Sequence, residues 1–128
     1  MQVVNVKVKY IRPTYDNLKE WMEDKNNVYI GRRGVVFIDG VRYPKDDSVW
    51  ANPFIIGKDG GRDKVINAYE KYINEKIENK EVNLDDLRGK VLGCWCCPEP
   101  CHGDILMKLL KSKKYSVDEQ GYIKLRFV

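Results

Sequence analysis

Residues 91–110 read VLGCWCCPEPCHGDILMKLL. An apolar run over residues 91–96 enters a short segment stiffened by Pro98 and Pro100. The chain leaves it through Ile105, Leu106, Leu109 and Leu110, spaced for one face of a helix over 104–111. Strand, tight loop and helix in that order are the building unit of α/β sheets, which place ligand sites beyond the carboxyl ends of their strands. All four cysteines (Cys94, Cys96, Cys97, Cys101) and the single histidine, His102, fall at this loop. The strand is expected to be central and buried, with the reactive side chains gathered at its end.

Working outward, residues 2–10 alternate Val4, Val6, Val8 and Tyr10 with polar residues, the two-residue period of a half-buried strand. Pro13 stops it, and Thr14 or Asp16 is expected to cap a short helix with Leu18, Trp21 and Met22 on one face. A second strand at 28–30 ends at Gly31-Arg32-Arg33. Residues 35–38 and 41–43 flank Asp39-Gly40, a pair suited to the positive φ angles of a type I′ hairpin. The long connection 45–61 carries Trp50-Ala51-Asn52-Pro53-Phe54 and reads as a site lid or a packed Ω-loop. Over 62–77 the positions Val65, Ile66, Tyr69, Tyr72, Ile73 and Ile77 form a 3.6-residue stripe. A helical turn at 84–87 closes on Gly89. Beyond the basic run 111–114, residues 115–117 and 122–127 read as a terminal hairpin. The expected fold is a single α/β domain over 1–128. Its architecture is a three-layer Rossmann-like sandwich with a mostly parallel central sheet and an inserted β-hairpin.

The chain has 128 residues, 43% hydrophobic and 33% charged, with a formal net charge of +4. No apolar run approaches the roughly 20 residues of a membrane span, and the N-terminus lacks a secretory layout. Four cysteines this close together close no useful loop, which favours reduced thiols inside a cell, or in a particle assembled there, over a secreted disulfide scaffold. The mild positive charge suits a small anionic ligand. Nucleic acid is less well supported, because no strong basic stripe is present.

Two constellations carry chemistry. In the cysteine loop, Cys101 and His102 stand where a helix begins and unpaired N–H groups favour negative charge. A thiolate at Cys101 would be held at a lowered pKa and serve as a nucleophile beside His102, while Asp104 either caps the helix or acts chemically. Strand alternation puts Cys94 and Cys96 on one face as small core residues. A metal set of Cys94 or Cys96 with Cys101 and His102 stays open, yet adjacent residues rarely both reach one ion, and no metal ligand is assigned. The second constellation is cationic. Arg32 follows Gly31 at a strand end and Arg62 follows Gly60-Gly61 at a helix start, both places where backbone approaches a ligand and arginine grips it in a bidentate way. Asn52, held extended before Pro53, either reads a ligand edge or braces its loop.

These pieces together resemble the family of domains of unknown function numbered 4326. The resemblance rests on Tyr29-Ile30-Gly31-Arg32, Trp50-x-Asn52-Pro53-Phe54, Arg62 with Tyr69, Leu87-Arg88-Gly89-Lys90 and Cys94-Trp95-Cys96-x-Pro98-x-x-Cys101-His102-Gly103-Asp104. It covers roughly residues 28–110 and implies small proteins of bacteria, phages and large DNA viruses, with no reaction attached. Cys97 is not a usual cysteine of the motif.

The expectation is a domain that binds, and in one version modifies, a nucleotide-like or other phosphate-bearing ligand. Cys101, His102 and Asp104 would be its chemical residues and Gly31, Arg32, Asn52 and Arg62 its ligand-binding residues. The alternative is a structural or interaction protein, such as a viral particle or assembly component, in which the cysteine loop is scaffold. No cofactor is named by the residues, no membrane partner is expected, and a homodimer stays open.

Overall fold

The computed structural model describes residues 2–97 and 99–111, together with the backbone of two strands at 115–117 and 123–125. The cysteine strand β5 (Val91–Cys94) lies at the centre of a three-stranded parallel sheet, between β1 (Gln2–Asn5) and β2 (Asn27–Tyr29). Val3 and Val28 both pair with Leu92, so the three strands run in step and end together. An antiparallel hairpin, β3 (Val36–Ile38) and β4 (Val41–Tyr43), stands apart from this sheet. Its turn uses Asp39 at φ 53° and Gly40 at φ 78°, the positive pair that the Asp-Gly sequence predicts. A second antiparallel pair, β6 (Tyr115–Val117) and β7 (Ile123–Leu125), follows the last helix. Met1, Pro98 and residues 112–114, 118–122 and 126–128, which include much of the basic run and of the expected terminal hairpin, lie outside the described residues.

Helices cover the sheet on both sides. Leu92 and Cys94 face α3 (Arg62–Glu78) and α4 (His102–Lys111), which pack on each other. On α3 the buried residues are Val65, Tyr69, Ile73 and Ile77, four positions apart along one stripe. The same core takes in Leu84 and Leu87 from a 3-10 turn and Ile105, Leu106, Leu109 and Leu110 from α4. Leu92, Leu87, Ile73 and Leu106 are wholly buried. Each such side chain contributes about 1.5–3 kcal/mol relative to remaining exposed. The opposite side is closed by Val6, by Ile11 from α1 (Val8–Ile11), and by Leu18 and Trp21 from α2 (Leu18–Glu23). A Cβ at Gly93 would collide with Trp21 and Val6, so glycine lets the indole lie against the central strand.

Three expectations are corrected. The first strand stops at Asn5 rather than running to Tyr10. Asn5 Oδ1 accepts the N–H of Lys7 (2.9 Å), and the chain turns into α1, leaving Val8 and Tyr10 exposed. The short helix is capped by Asn17, whose side chain accepts the N–H of Glu20 (2.9 Å), not by Thr14 or Asp16. The central strand ends at Cys94, so Cys96 is not its continuation. Trp95 to Cys97 form a turn in which Glu99 N–H reaches the Cys96 carbonyl (2.7 Å).

Candidate functional site

The common end of β2 and β5 opens on a cavity of about 300 Å³. Gly31, Arg32, Asn52, Arg62, Cys101 and His102 all line it, although they are scattered over more than seventy positions of the chain. Among the described residues lining it there is no carboxylate. Of the expected site residues, only Asp104 lies off its wall.

The loop after β2 supplies the first wall. Tyr29 folds back so that its hydroxyl donates to the Arg32 carbonyl (2.8 Å) and accepts from Trp95 Nε1 (2.8 Å). A Cβ on Gly31 would strike the Tyr29 ring, so the glycine is there for close packing. Arg32 then grips the next loop. Its Nε and Nη2 donate to the Asn52 carbonyl (3.1 and 2.9 Å), and Nη2 also donates to that of Phe54 (2.8 Å). Asn52 is buried and braces the same loop, accepting Phe54 N–H (2.9 Å) and donating to the Val65 carbonyl (3.3 Å). Trp50 sits in the core with its carbonyl accepting the Tyr69 hydroxyl (2.7 Å). The connection is therefore packed and pinned rather than a loose lid. Arg62, at the start of α3, donates to the Pro100 carbonyl (2.9 Å) and ties that helix to the cysteine loop.

The cysteine loop supplies the floor. Cys94 and Cys101 are both buried, and their sulfurs stand 3.4 Å apart as a thiol–thiol hydrogen bond. A pair this close shares one proton when the first is lost. The hydrogen bond from Cys101, then the backbone N–H groups of Cys97 and Cys96, favour the thiolate at Cys94 and hold it below the ordinary thiol range. The same hydrogen bond, followed by burial, pushes Cys101 up. This corrects the expectation for Cys101: the thiol made acidic is Cys94, which strand alternation had assigned to core. Cys96 is half-buried on the cavity wall, whereas Cys97 turns toward β1, its sulfur 3.6 Å from the Val3 carbonyl. Asn5 braces this turn from β1, donating to the carbonyls of Cys97 (2.8 Å) and Trp95 (3.3 Å).

His102 opens α4 and is buried edge-on against the Tyr69 ring, with centroids 5.0 Å apart. Its Nε2 stands 2.6 Å from the Ile30 carbonyl. A carbonyl only accepts, so Nε2 carries the proton and Nδ1 keeps its lone pair. Burial, with Arg32 acting in the same direction, holds the imidazole below its usual range and neutral. Asp104 is a cap. Its carboxylate accepts Cys101 N–H (3.0 Å) while Cys101 Sγ accepts Gly103 N–H (3.3 Å), a capping box with sulfur in the place of a hydroxyl. Gly103 lets this turn approach Ile30 and Val3 closely. No three metal-ligating side chains converge among the described residues.

Sequence reasoning missed Cys94, the aromatic walls Phe54 and Trp95, and the brace at Asn5. For Cys94 the signal was present, since it is the last residue of the central strand. Phe54 stood in the quoted motif without a role. Nothing local marks Asn5, whose partners lie ninety positions away.

No described helix is long and apolar enough to cross a membrane. No solved structure is similar to the chain. It is similar to an uncharacterised 12.4 kDa protein of the nrdA-td intergenic region of Enterobacteria phage T4, 40% identical over 65 residues, which are 48% of this chain and 58% of the phage protein. It is also similar to uncharacterised protein R718 of Acanthamoeba polyphaga mimivirus, 35% identical over 101 residues, 72% of this chain and 73% of the viral one. The model of the family described as Domain of unknown function (DUF4326) matches residues 15–112, beginning upstream of the motifs and taking in α2. The chain belongs to that family.

Proposed function

We propose that this domain binds a small anionic, nucleotide-like ligand in the cavity at its Cys-His loop and presents the Cys94–Cys101 pair and His102 to it. The observation that carries this reading is the convergence of Arg32, Arg62 and the first turn of α4 on one cavity lined by no described carboxylate. Both arginines are held by backbone carbonyls, so their charge is positioned before a ligand arrives. Phe54 and Trp95 offer flat apolar walls suited to a heteroaromatic ring, and the volume lies at the lower end of the roughly 300–1,000 Å³ usual for small-molecule sites. The position also suits a Rossmann-like reading of the fold. Helices packed on both faces of the three parallel strands support that reading, and open parallel sheets bind ligands beyond their carboxyl ends.

Calorimetry and thermal shift with mononucleotides, dinucleotides, cyclic nucleotides and inorganic phosphate test the reading. A charged hydrogen bond worth about 1.5–3 kcal/mol makes Arg62→Gln cost roughly tenfold to a hundredfold in affinity. Absence of binding to every probe, or equal binding by wild type and Arg62→Gln, defeats it.

A second reading, an interaction or assembly protein with the loop as scaffold, draws on the hairpin, where Phe37 is 65% and Val41 60% exposed, and on the viral relatives. It expects Phe37→Ser to change association while Cys101→Ala lowers only stability. Association unaffected by Phe37→Ser counts against it.

A further inference from the structure

Cys94 and Cys101 form a pair whose geometry is not explained by packing alone. Their sulfurs are in contact, both lie on the cavity floor, and Cys101 Sγ accepts the backbone N–H of Gly103. One thiol closes the central strand and the other caps the helix that follows, so two rigid elements hold them together. The adjacent pair Cys96-Cys97 is differently disposed, because Cys97 turns away to the Val3 carbonyl. The floor is closed, with Cys94 1% and Cys101 3% exposed. Only a reagent of a few atoms entering through the cavity reaches it.

We infer that Cys94 and Cys101 are a redox-active dithiol that reduces hydrogen peroxide or a small alkyl hydroperoxide and closes into an internal disulfide. The Cys94 thiolate attacks the terminal oxygen of the hydroperoxide and breaks the O–O bond. It becomes a sulfenic acid, while the departing alkoxide or hydroxide takes the Cys101 proton and leaves as alcohol or water. The Cys101 thiolate then attacks the Cys94 sulfur and expels hydroxide, forming the S–S bond. Two electrons pass from the dithiol to the peroxide, and an external thiol returns the pair to its reduced state. The sulfurs need to close from 3.4 Å to roughly 2.05 Å. The hydrogen bond from Cys101 favours the Cys94 thiolate that begins the reaction. The inference stands independently of the anionic ligand, since a peroxide needs neither arginine for recognition.

The test uses C96S/C97S, which leaves only the pair. After stoichiometric hydrogen peroxide its intact mass should fall by two hydrogens, both thiols should resist alkylation after unfolding, and dithiothreitol should restore them. Chymotrypsin, cutting after Trp95, should release the Cys94 fragment disulfide-linked to the Cys101 fragment. Adding Cys101→Ser should stop Cys94 at a sulfenic acid trapped by a cyclic 1,3-dione. Adding Cys94→Ser instead should slow peroxide consumption by on the order of tenfold or more. Should the double variant fail to fold, wild type carries the same chymotryptic test, with fragmentation identifying Cys101 as the partner. Two thiols that remain alkylatable after peroxide, a linkage that excludes Cys94 or Cys101, or a Cys94→Ser variant as fast as its parent would overturn the inference.

Discussion

Asn52 separates a brace from a ligand reader, and Asn52→Ala measures which it is. The side chain is 7% exposed. Its Oδ1 accepts the Phe54 N–H at 2.9 Å, and its Nδ2 donates to the Val65 carbonyl at 3.3 Å. Truncation leaves the half-buried Phe54 N–H without its acceptor, at a cost of about 1–2 kcal/mol. The Val65 carbonyl belongs to the first turn of α3 and keeps its helical partner, so the weaker bond there adds only about 0.5–1 kcal/mol. The sum, about 1.5–3 kcal/mol, is large against the roughly 5–15 kcal/mol typical of a domain, yet leaves the protein folded. With a urea m-value of about 2 kcal/mol/M, the unfolding midpoint should fall by about 0.75–1.5 M at unchanged slope. Circular dichroism during urea titration reads this directly. A loss below about 0.5 kcal/mol, the size of an ordinary surface substitution, would refute the bracing role. The hydrogen bonds at Asn52 would then not hold the loop, and its amide would be free for a ligand.

Two further outcomes follow from the cysteine loop. His102 is held below its ordinary range by burial, so between its folded and unfolded pKa the unfolded chain binds more protons. Its contribution to stability should be complete above about pH 6.5 and fall as the pH drops below it. Unfolding free energies measured from pH 7.5 down to 5.5 should fall more steeply in wild type than in His102→Gln, where the acidic Cys94 thiol alone still contributes a slope of the same sign; equal slopes would contradict the assignment. Asp104 accepts the Cys101 N–H as a cap. Asp104→Ala should therefore cost about 0.5–2 kcal/mol in thermal or urea unfolding. Ligand affinity at temperatures where the variant stays folded should be preserved, and a selective loss of binding would return Asp104 to the site chemistry.

Local pattern made much of the architecture legible. The run of apolar residues at 91–94 and the helical spacing after His102 place a central strand and its following helix. The stripe Val65, Tyr69, Ile73 and Ile77 sets the longest helix, and Asp39-Gly40 sets the hairpin turn. Each depends on side-chain period or backbone φ preference, which neighbours in sequence determine. The first strand misled the same logic. Val8 and Tyr10 continue the alternation, but the Asn5 side chain turns the backbone and braces the cysteine loop instead. A hydrogen bond to a partner ninety positions away leaves no trace in a two-residue period.

The sequence by itself determined most of the elements, that the cysteine strand is followed closely by a helix, and that glycine and arginine stand at element ends. Those properties follow from short-range sterics and from apolar periodicity. Only the tertiary structure decided that Gly31, Arg32, Asn52, Arg62, Cys101 and His102 meet around one cavity, because that depends on β2 and β5 ending side by side. It also decided the pairing of thiols. Alternation along a strand says which way Cys94 points, but the first turn of α4 must fold back across the sheet to bring the sulfur of Cys101 within 3.4 Å. Acidity is a property of that meeting: the proton shared between two sulfurs, and the backbone N–H groups around them, make Cys94 the acidic thiol although the helix start belongs to Cys101.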